Sequence, residues 1–559
     1  HTRPRNGEPH YYLGVALAGQ QRYDEACDAY NRAAWNAAWY GPAQFALAQL
    51  ASREGDFGRA LEHIDNALSA NTRDVRAMTL RAAVLRQLGR AEAALKQARV
   101  ALDFDPLDFT AANERALAQT ALGKRRMAKK TLEELARTMR GQAQSYLNLA
   151  TDYSSAGLHA EASEVLARHA KATPETDPMV YYHLGYCAAR QGAARQAAEY
   201  YARAAAMPTA YCFPFRLESI QVLRHAMESR PDDARAPYYL GNLLYDRQPD
   251  AAVAAWEKSV ETGADFPTVH RNLGYAYAKR DDDYPKAIAA YERAIACDDS
   301  DPRVFYELEK LYEVNGTDPE TRLAVLSRNQ ETTGKRSDLV ARQVRLFVQT
   351  GQHDTAIDML AGRRFDTWEG GTGIHDTWVE AHTLRGKQAL AAGNAQAALA
   401  DFQAALEYPA NLGVDRPLHD PPAARTHLLV AAAHEALGNE PQAREALEQA
   451  AATDVGGSEY RYDKGVALAQ LDKPGEAKKL FDALETSGRN QLEKGGEVDF
   501  FMKFGEKQAH SQKMARAHYL LGLGALGNGD AARAREHFTK ALEENPNHLW
   551  ARIRLEELP

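Results

Sequence analysis

The sequence is short of cysteine, of long apolar runs and of excess positive charge, and each shortage closes off a class of function. Four cysteines, Cys27, Cys187, Cys212 and Cys297, occur in 559 residues. They lie far apart and form no C-x-x-C pair, which excludes zinc ribbons and dithiol redox motifs. Small buried residues in helices is their plain reading, because Cys is among the residue types most often buried. So few thiols, with no disulfide-like spacing, fit a reducing compartment, and the expected location is cytoplasmic. No apolar stretch approaches the ~18–20 residues that a membrane-spanning helix needs, so no membrane partner is expected. Lys and Arg number 68 against 76 Asp and Glu, a net charge of −8. A broad nucleic-acid surface needs clustered basic side chains, so no nucleic-acid partner is expected either. No signal peptide is visible, but the chain opens His1-Thr2-Arg3 without Met, so that absence carries no weight.

Catalytic signatures are missing too. There is no G-x-S-x-G elbow and no H-E-x-x-H zinc helix. The glycine pieces Gly370 to Gly373 and Gly522 to Gly524 follow no strand pattern, so they are not nucleotide fingerprints. Asp281-Asp282-Asp283 lacks the D-x-D-x-D-G order of a calcium loop and reads as a solvated turn. His375 and His382 are seven apart, as are His427 and His434, whereas zinc helices favour a spacing of four. The expectation for this chain is no enzyme, no metal and no cofactor.

What the chain does have is a step of 34. Ala26, Ala60, Ala94, Ala128 and Ala162 keep it, as do Gly55, Gly89, Gly123 and Gly157. Ala33, Ala67 and Ala101 keep it as well, and Pro106 and Pro174 stand two steps apart. Leu13, Gly14 and Leu17 share one helix face; Tyr23, Ala26, Tyr30 and Ala33 share another. Gly14 and Ala26 admit close helix approach, Tyr30 fills the gap between units, and the stepped glycines fall where one helix must stop. A helix–turn–helix period of this length is that of tetratricopeptide repeats. The pattern predicts an all-α tetratricopeptide-repeat superhelix, an α-solenoid, of about 13–14 helix pairs with irregular loop insertions.

Interruptions divide the array into three stretches. Residues 1–207 form a regular N-terminal array, 208–365 hold middle repeats with a loop insertion, and 366–559 hold C-terminal repeats with WEGG and YPANLG loops and a capping helix. The segment MPTAYCFPFRLESIQVL breaks the pattern with two prolines and an aromatic cluster. It predicts a loop, then a helix from about Arg216 that ends before Pro231. The last residues, HLWARIRLEELP, predict an amphipathic helix with Leu549, Trp550 and Ile553 on one face, shielding the end of the array. No such cap precedes Tyr11, Tyr12 and Leu13 in the first helix. The expectation there is an upstream segment that once covered it, the alternative being a frayed first helix.

The segments CFPFRLESIQVL, PYYLGNLLYD, RNLGYAYAK, WEGGTG and EYPANLGVDRP, from about Cys212 to Pro417, go beyond generic repeat residues. They resemble the tetratricopeptide half of large bacterial proteins whose N-terminal half is an uncharacterised β-rich domain. That domain is similar to the galactose-mutarotase-like β-supersandwich of sugar-acting enzymes. The resemblance implies that a sugar-handling half lies upstream and is absent from this chain.

Binding is the function class that remains. First helices of tetratricopeptide units line a concave groove, and Asn242, Arg271 and Asn272 fall on such helices. The Arg fork suits a peptide carboxylate, although all three could instead bond a neighbouring helix. At Trp368, Glu369, Gly370 and Gly371, glycines permit close backbone approach. A Trp beside a carboxylate offers a sugar a ring face and a hydroxyl acceptor; the same loop would also serve to plug the solenoid or dock another domain. Tyr408 and Asn411 of the YPANLG loop complete the candidate partner-binding set. The expected function is a protein-interaction scaffold that binds a partner protein, a peptide or an adjacent domain through its concave face and inserted loops. The alternative is the accessory half of a carbohydrate-active enzyme whose catalytic β-domain lies upstream, with carbohydrate contact only in that domain's company. A groove that senses a small molecule or peptide is a third reading, and self-association stays open.

Overall fold

The computed structural model describes residues 6–365, 373–493 and 510–558. Among them the regular elements are 31 α-helices and one short 3-10 helix, with no strand. The chain divides into two compact units, residues up to Asp265 and residues from Phe266.

The first unit opens with six helix pairs, from Gly7–Gly19 with Tyr23–Ala33 to Pro178–Arg190 with Ala194–Ala206. A lone helix, Glu218–Ser229, and a seventh pair, Arg235–Leu244 with Pro249–Glu261, follow. The lone helix is the one expected after the proline-rich interruption. The first five pairs close on the stepped residues. Ala26, Ala60, Ala94 and Ala162 are fully buried, and Ala128 nearly so. Gly55, at φ +80°, adopts the left-handed conformation that side chains resist, and this lets the helix Ala37–Arg53 stop and the helix Phe57–Ala70 begin four residues later.

A second device recurs along both units. A glycine in the first helix of a pair receives an aromatic ring from the second. A β-carbon on Gly14 would stand 2.5 Å from Tyr30, one on Gly185 2.5 Å from Tyr201, and one on Gly241 2.4 Å from Trp256. In the second unit Gly274 meets Tyr291, Gly386 meets Phe402, Gly465 meets Phe481 and Gly522 meets Phe538 in the same way.

The second unit also holds seven pairs, from Pro267–Arg280 with Tyr284–Cys297 to His510–Gly527 with Ala531–Glu544. Fourteen pairs among the described residues agree with the expected number. The final helix, Leu549–Glu557, shields the last pair as expected but reaches much further. The indole N–H of Trp550 donates to Glu380 Oε1 at 3.1 Å, and the Arg425 guanidinium lies 3.9 Å from the centre of the indole. Arg554 pairs with Asp463 at 3.2 Å, and Lys387 pairs with Glu557. Asn547 Nδ2 donates to the Thr317 carbonyl at 3.2 Å. The helices touched, Ile374–Ala391, Ala423–Ala436 and Arg461–Gln470, are each the first of their pair. The side of the second unit that an open array would leave as a groove is therefore filled here by the chain's own end.

Candidate binding cleft

The first unit turns back on itself. Ser52 Oγ donates to the Ala156 carbonyl at 2.8 Å and Arg53 Nη1 to the Ser154 carbonyl at 2.9 Å, joining the second pair to the fifth. Gly157 allows this contact, because a β-carbon there would stand 2.6 Å from Arg53 Cα. The lone helix Glu218–Ser229 meets the end of the first helix, where Gln221 Nε2 donates to the Gly19 carbonyl at 2.7 Å. These closures leave an inner cleft of about 340 Å³. Rings of Tyr11, Tyr23, Tyr30, Phe45 and Tyr186 supply much of its wall, with Arg53, Arg76, Glu218 and Gln221 as polar lining.

Beyond Phe45, Gln49 and Arg76, which line both spaces, lies a smaller pocket of about 50 Å³. Two carboxylates face it, Asp108 and Asp152. Asp108 caps the helix Phe109–Ala121 by accepting from the Ala111 amide at 2.6 Å, and accepts from Thr79 Oγ1 at 3.3 Å. Asp152 accepts from Thr110 Oγ1 at 3.1 Å. Neither forms an ion pair among the described residues. Burial raises both carboxyls above the ordinary aspartate value; hydrogen bonds from Ala111 and Thr79 hold Asp108 back, and Thr110, Arg216 and Arg76 hold Asp152 back.

Two donors in the wider cleft are unused. Tyr186 is 5% exposed and its hydroxyl makes no hydrogen bond, nor does Arg53 Nε. Burial raises the Tyr186 hydroxyl and the neighbouring Arg53 charge partly offsets it. His183 lies deeper, 3.3 Å from Ser219 Oγ, and burial lowers its pKa to about 4.

The segment that interrupted the repeats runs beside the cleft. Tyr211, Phe213, Phe215 and Leu217 are each at least 63% exposed. They alternate with Cys212, whose thiol is buried and donates to Asp177 Oδ1 at 3.3 Å, and with half-buried Pro214 and Arg216. Leu217 lines the cleft, while Phe213 and Phe215 line an adjoining recess beside Thr151 and His183.

A tetratricopeptide-repeat family model matches residues 1–42, 45–109 and 242–302, and a second tetratricopeptide-repeat model matches residues 515–548. The chain carries tetratricopeptide repeats. Among solved structures it is similar to yeast Tom70, at 14% identity over 86% of this chain and 91% of that one, with a TM-score of 0.24. It is similar to the Cut9–Hcn1 hetero-tetramer of the APC/C, at 14% identity over 99% and 96%, with a TM-score of 0.24. It is also similar to MamA of Desulfovibrio magneticus, at 19% identity over 29% and 92%, with a TM-score of 0.19. No described helix is long and apolar enough to cross a membrane.

The described residues singled out from sequence lie elsewhere in the tetratricopeptide array. Asn242 Oδ1 accepts from the Trp256 indole at 3.0 Å, inside its own pair. Arg271 forks onto Glu307 at 2.9 and 2.7 Å, and Tyr291 donates to the same carboxylate. Asn272, next in the helix, is half-buried. Tyr408 stacks on His375 with ring centres 3.7 Å apart. Asn411 Nδ2 donates to the Leu360 and Arg363 carbonyls, both at 2.7 Å, and its own carbonyl accepts from Phe365. Those bonds hold the YPANLG loop against residues 363–365. Trp368, Glu369, Gly370 and Gly371 fall outside the described residues.

None of the described ones lines the cleft, and the sequence reading missed the residues that do. One signal was present. Stepping back from Asp152 by 34 gives Ala118, Val84 and Leu50, all buried and apolar. A carboxylate that breaks such a series marks a place where a repeat has traded packing for something polar.

Proposed function

We propose that the chain is a protein-interaction scaffold whose first unit takes an extended segment of a partner protein or peptide into its inner cleft. The observation that carries this reading is a ring-lined cleft bordered by unused donors and by exposed Phe213, Phe215 and Leu217. Aromatic side chains are favoured where a partner must be gripped with little loss of side-chain freedom. Large exposed apolar side chains grouped on one segment mark an interaction surface. The polar lining favours an extended guest: an extended run of a few residues presents unpaired backbone groups to Arg53, Glu218 and Gln221, whereas a helix has already spent its backbone groups on its own hydrogen bonds.

The test uses the full chain and peptides selected on it from a displayed random library. Val15 lines the cleft and is exposed, so Val15→Trp should fill the space without disturbing the core. Selected peptides should lose at least about tenfold in affinity for this variant, as expected when well-packed contacts are displaced, with the far-ultraviolet circular dichroism unchanged. Peptides that bind the variant as tightly as the parent would contradict the reading.

A further inference from the structure

We propose that the inner pocket beyond Phe45 reads a positively charged side chain, a lysine ammonium or an arginine guanidinium, carried by the segment that the cleft admits. This rests on the reading of the cleft as a site for an extended segment and adds to it the chemistry of the guest.

Charge is the first argument. Asp108 and Asp152 face one pocket and neither has an ion-pair partner among the described residues. Asp108 is half-buried, and Asp152 is exposed and lines the same pocket, so a cation there meets both carboxylates, with the larger gain at Asp108, where the local dielectric is lower. Arg76 is the one basic residue lining that pocket, and its guanidinium is drawn aside, 4.8 Å over the Phe45 ring. Arg216, which also acts on Asp152, is paired with Glu218 at 3.2 Å; two carboxylates against the one guanidinium that lines the pocket leave it unsuited to an anion and suited to a second cation.

Size and lining are the second. About 50 Å³ is room for a few water-sized groups, each needing about 10–15 Å³ by the same kind of measure. That admits a charged tip. Leu80, Ala83 and the Phe45 ring flank the way in, an apolar sleeve for the methylene stem of Lys or Arg. The third argument comes from outside the acidic pair. The Tyr186 hydroxyl, on a side chain 5% exposed, makes no hydrogen bond, has the Arg53 guanidinium as its polar neighbour and borders the adjoining cleft. A buried hydroxyl left unpaired costs stability, and the backbone of a bound segment would supply its missing partner.

The experiment measures fluorescence anisotropy of library-selected peptides on the full chain, each with its basic residue present or replaced by norleucine. The lysine or arginine form should bind on the order of tenfold or more tightly than the norleucine form, the usual scale for a charge-assisted hydrogen bond. Asp152→Asn should erase that preference. So should Asp108→Asn, which keeps a good N-cap and hence the helix start. Arg76→Gln should tighten the basic peptide and leave the norleucine peptide unchanged. Selected peptides without basic residues, or a preference that survives Asp152→Asn, would overturn the charge assignment while leaving the cleft reading intact if Val15→Trp still abolishes binding. Peptides indifferent to Val15→Trp would sink both. Free cadaverine binding as tightly as the peptides would overturn a bound segment as the source of the cation.

Discussion

Single glycines decide whether neighbouring helices can lie as close as this array requires. At Gly522 a β-carbon would sit 2.5 Å from Phe538, a ring with no exposed surface and no room to retreat. Gly522→Val should therefore cost about 1–3 kcal/mol, the usual penalty for overpacking a core, and lower the melting temperature. Gly58 begins a helix with nothing nearer than Asp56 Oδ1 at 3.6 Å. Gly58→Ala should leave stability within about 1 kcal/mol of the parent or raise it. Equal melting temperatures for the two variants would refute the ring-on-glycine account. Histidines make a second test at this scale. Burial lowers His183 to about 4, and burial with Arg53 and Arg190 does the same to His159. A depressed folded-state value means that the unfolded chain binds the proton first. The stability these groups contribute is full above the ordinary histidine value of about 6.5 and is lost as pH falls towards about 4. Urea denaturation between pH 7 and pH 5 should show that loss, and His183→Gln should reduce it; parallel curves for parent and variant would contradict the assignment.

The final helix shows what one element adds beyond its own repeat. Trp550 is buried against Arg425 and bonded to Glu380, and Arg554 is paired with Asp463, which is itself almost fully buried. Asp463 also pairs with Arg425 at 3.2 Å, so losing Arg554 removes one of its two cations and leaves the other. Arg554→Met should therefore destabilise the second unit by about 1.5–3 kcal/mol, the scale of a hydrogen bond to a charged group, less than a wholly uncompensated buried charge would cost. Trp550→Ala should raise hydrogen exchange in Ile374–Ala391 as well as in the adjacent Ala531–Glu544. Faster exchange in the adjacent helix alone would mean that the final helix is only a local cap. Its presence was legible, because Leu549, Trp550 and Ile553 follow helical spacing. Its reach was not, since periodicity reports which face is apolar and says nothing about which distant carboxylate will meet the indole. The helix pairs themselves were legible for the same reason in reverse: Ala26 and Gly55 speak only of their immediate neighbours. The cleft depends on the second pair meeting the fifth through Ser52, Arg53 and Gly157. Repeat spacing does not encode that closure, and only Asp152, out of register with its series, pointed there.

At the scale of the molecule the two units dispose of their inner faces differently. The second fills its own with the chain's last helix, whereas the first closes into a ring and keeps a lined space of about 340 Å³. Beside that space stand exposed Leu217, which lines it, and Phe213 and Phe215, which line the adjoining recess. Replacing Phe213 and Phe215 together by Ser removes exposed rings that carry no fold, so binding of selected peptides should weaken several-fold or more while the melting temperature holds. An unchanged affinity would exclude the segment as a lip. The most direct measurement is photo-crosslinking of a selected peptide carrying benzoylphenylalanine, followed by mass-spectrometric location of the adduct on the full chain. The account predicts adducts on Tyr11, Val15, Phe45, Tyr186 or Leu217; adducts confined to the outer second helices of the pairs, such as Phe57–Ala70 or Ala91–Phe104, would contradict it.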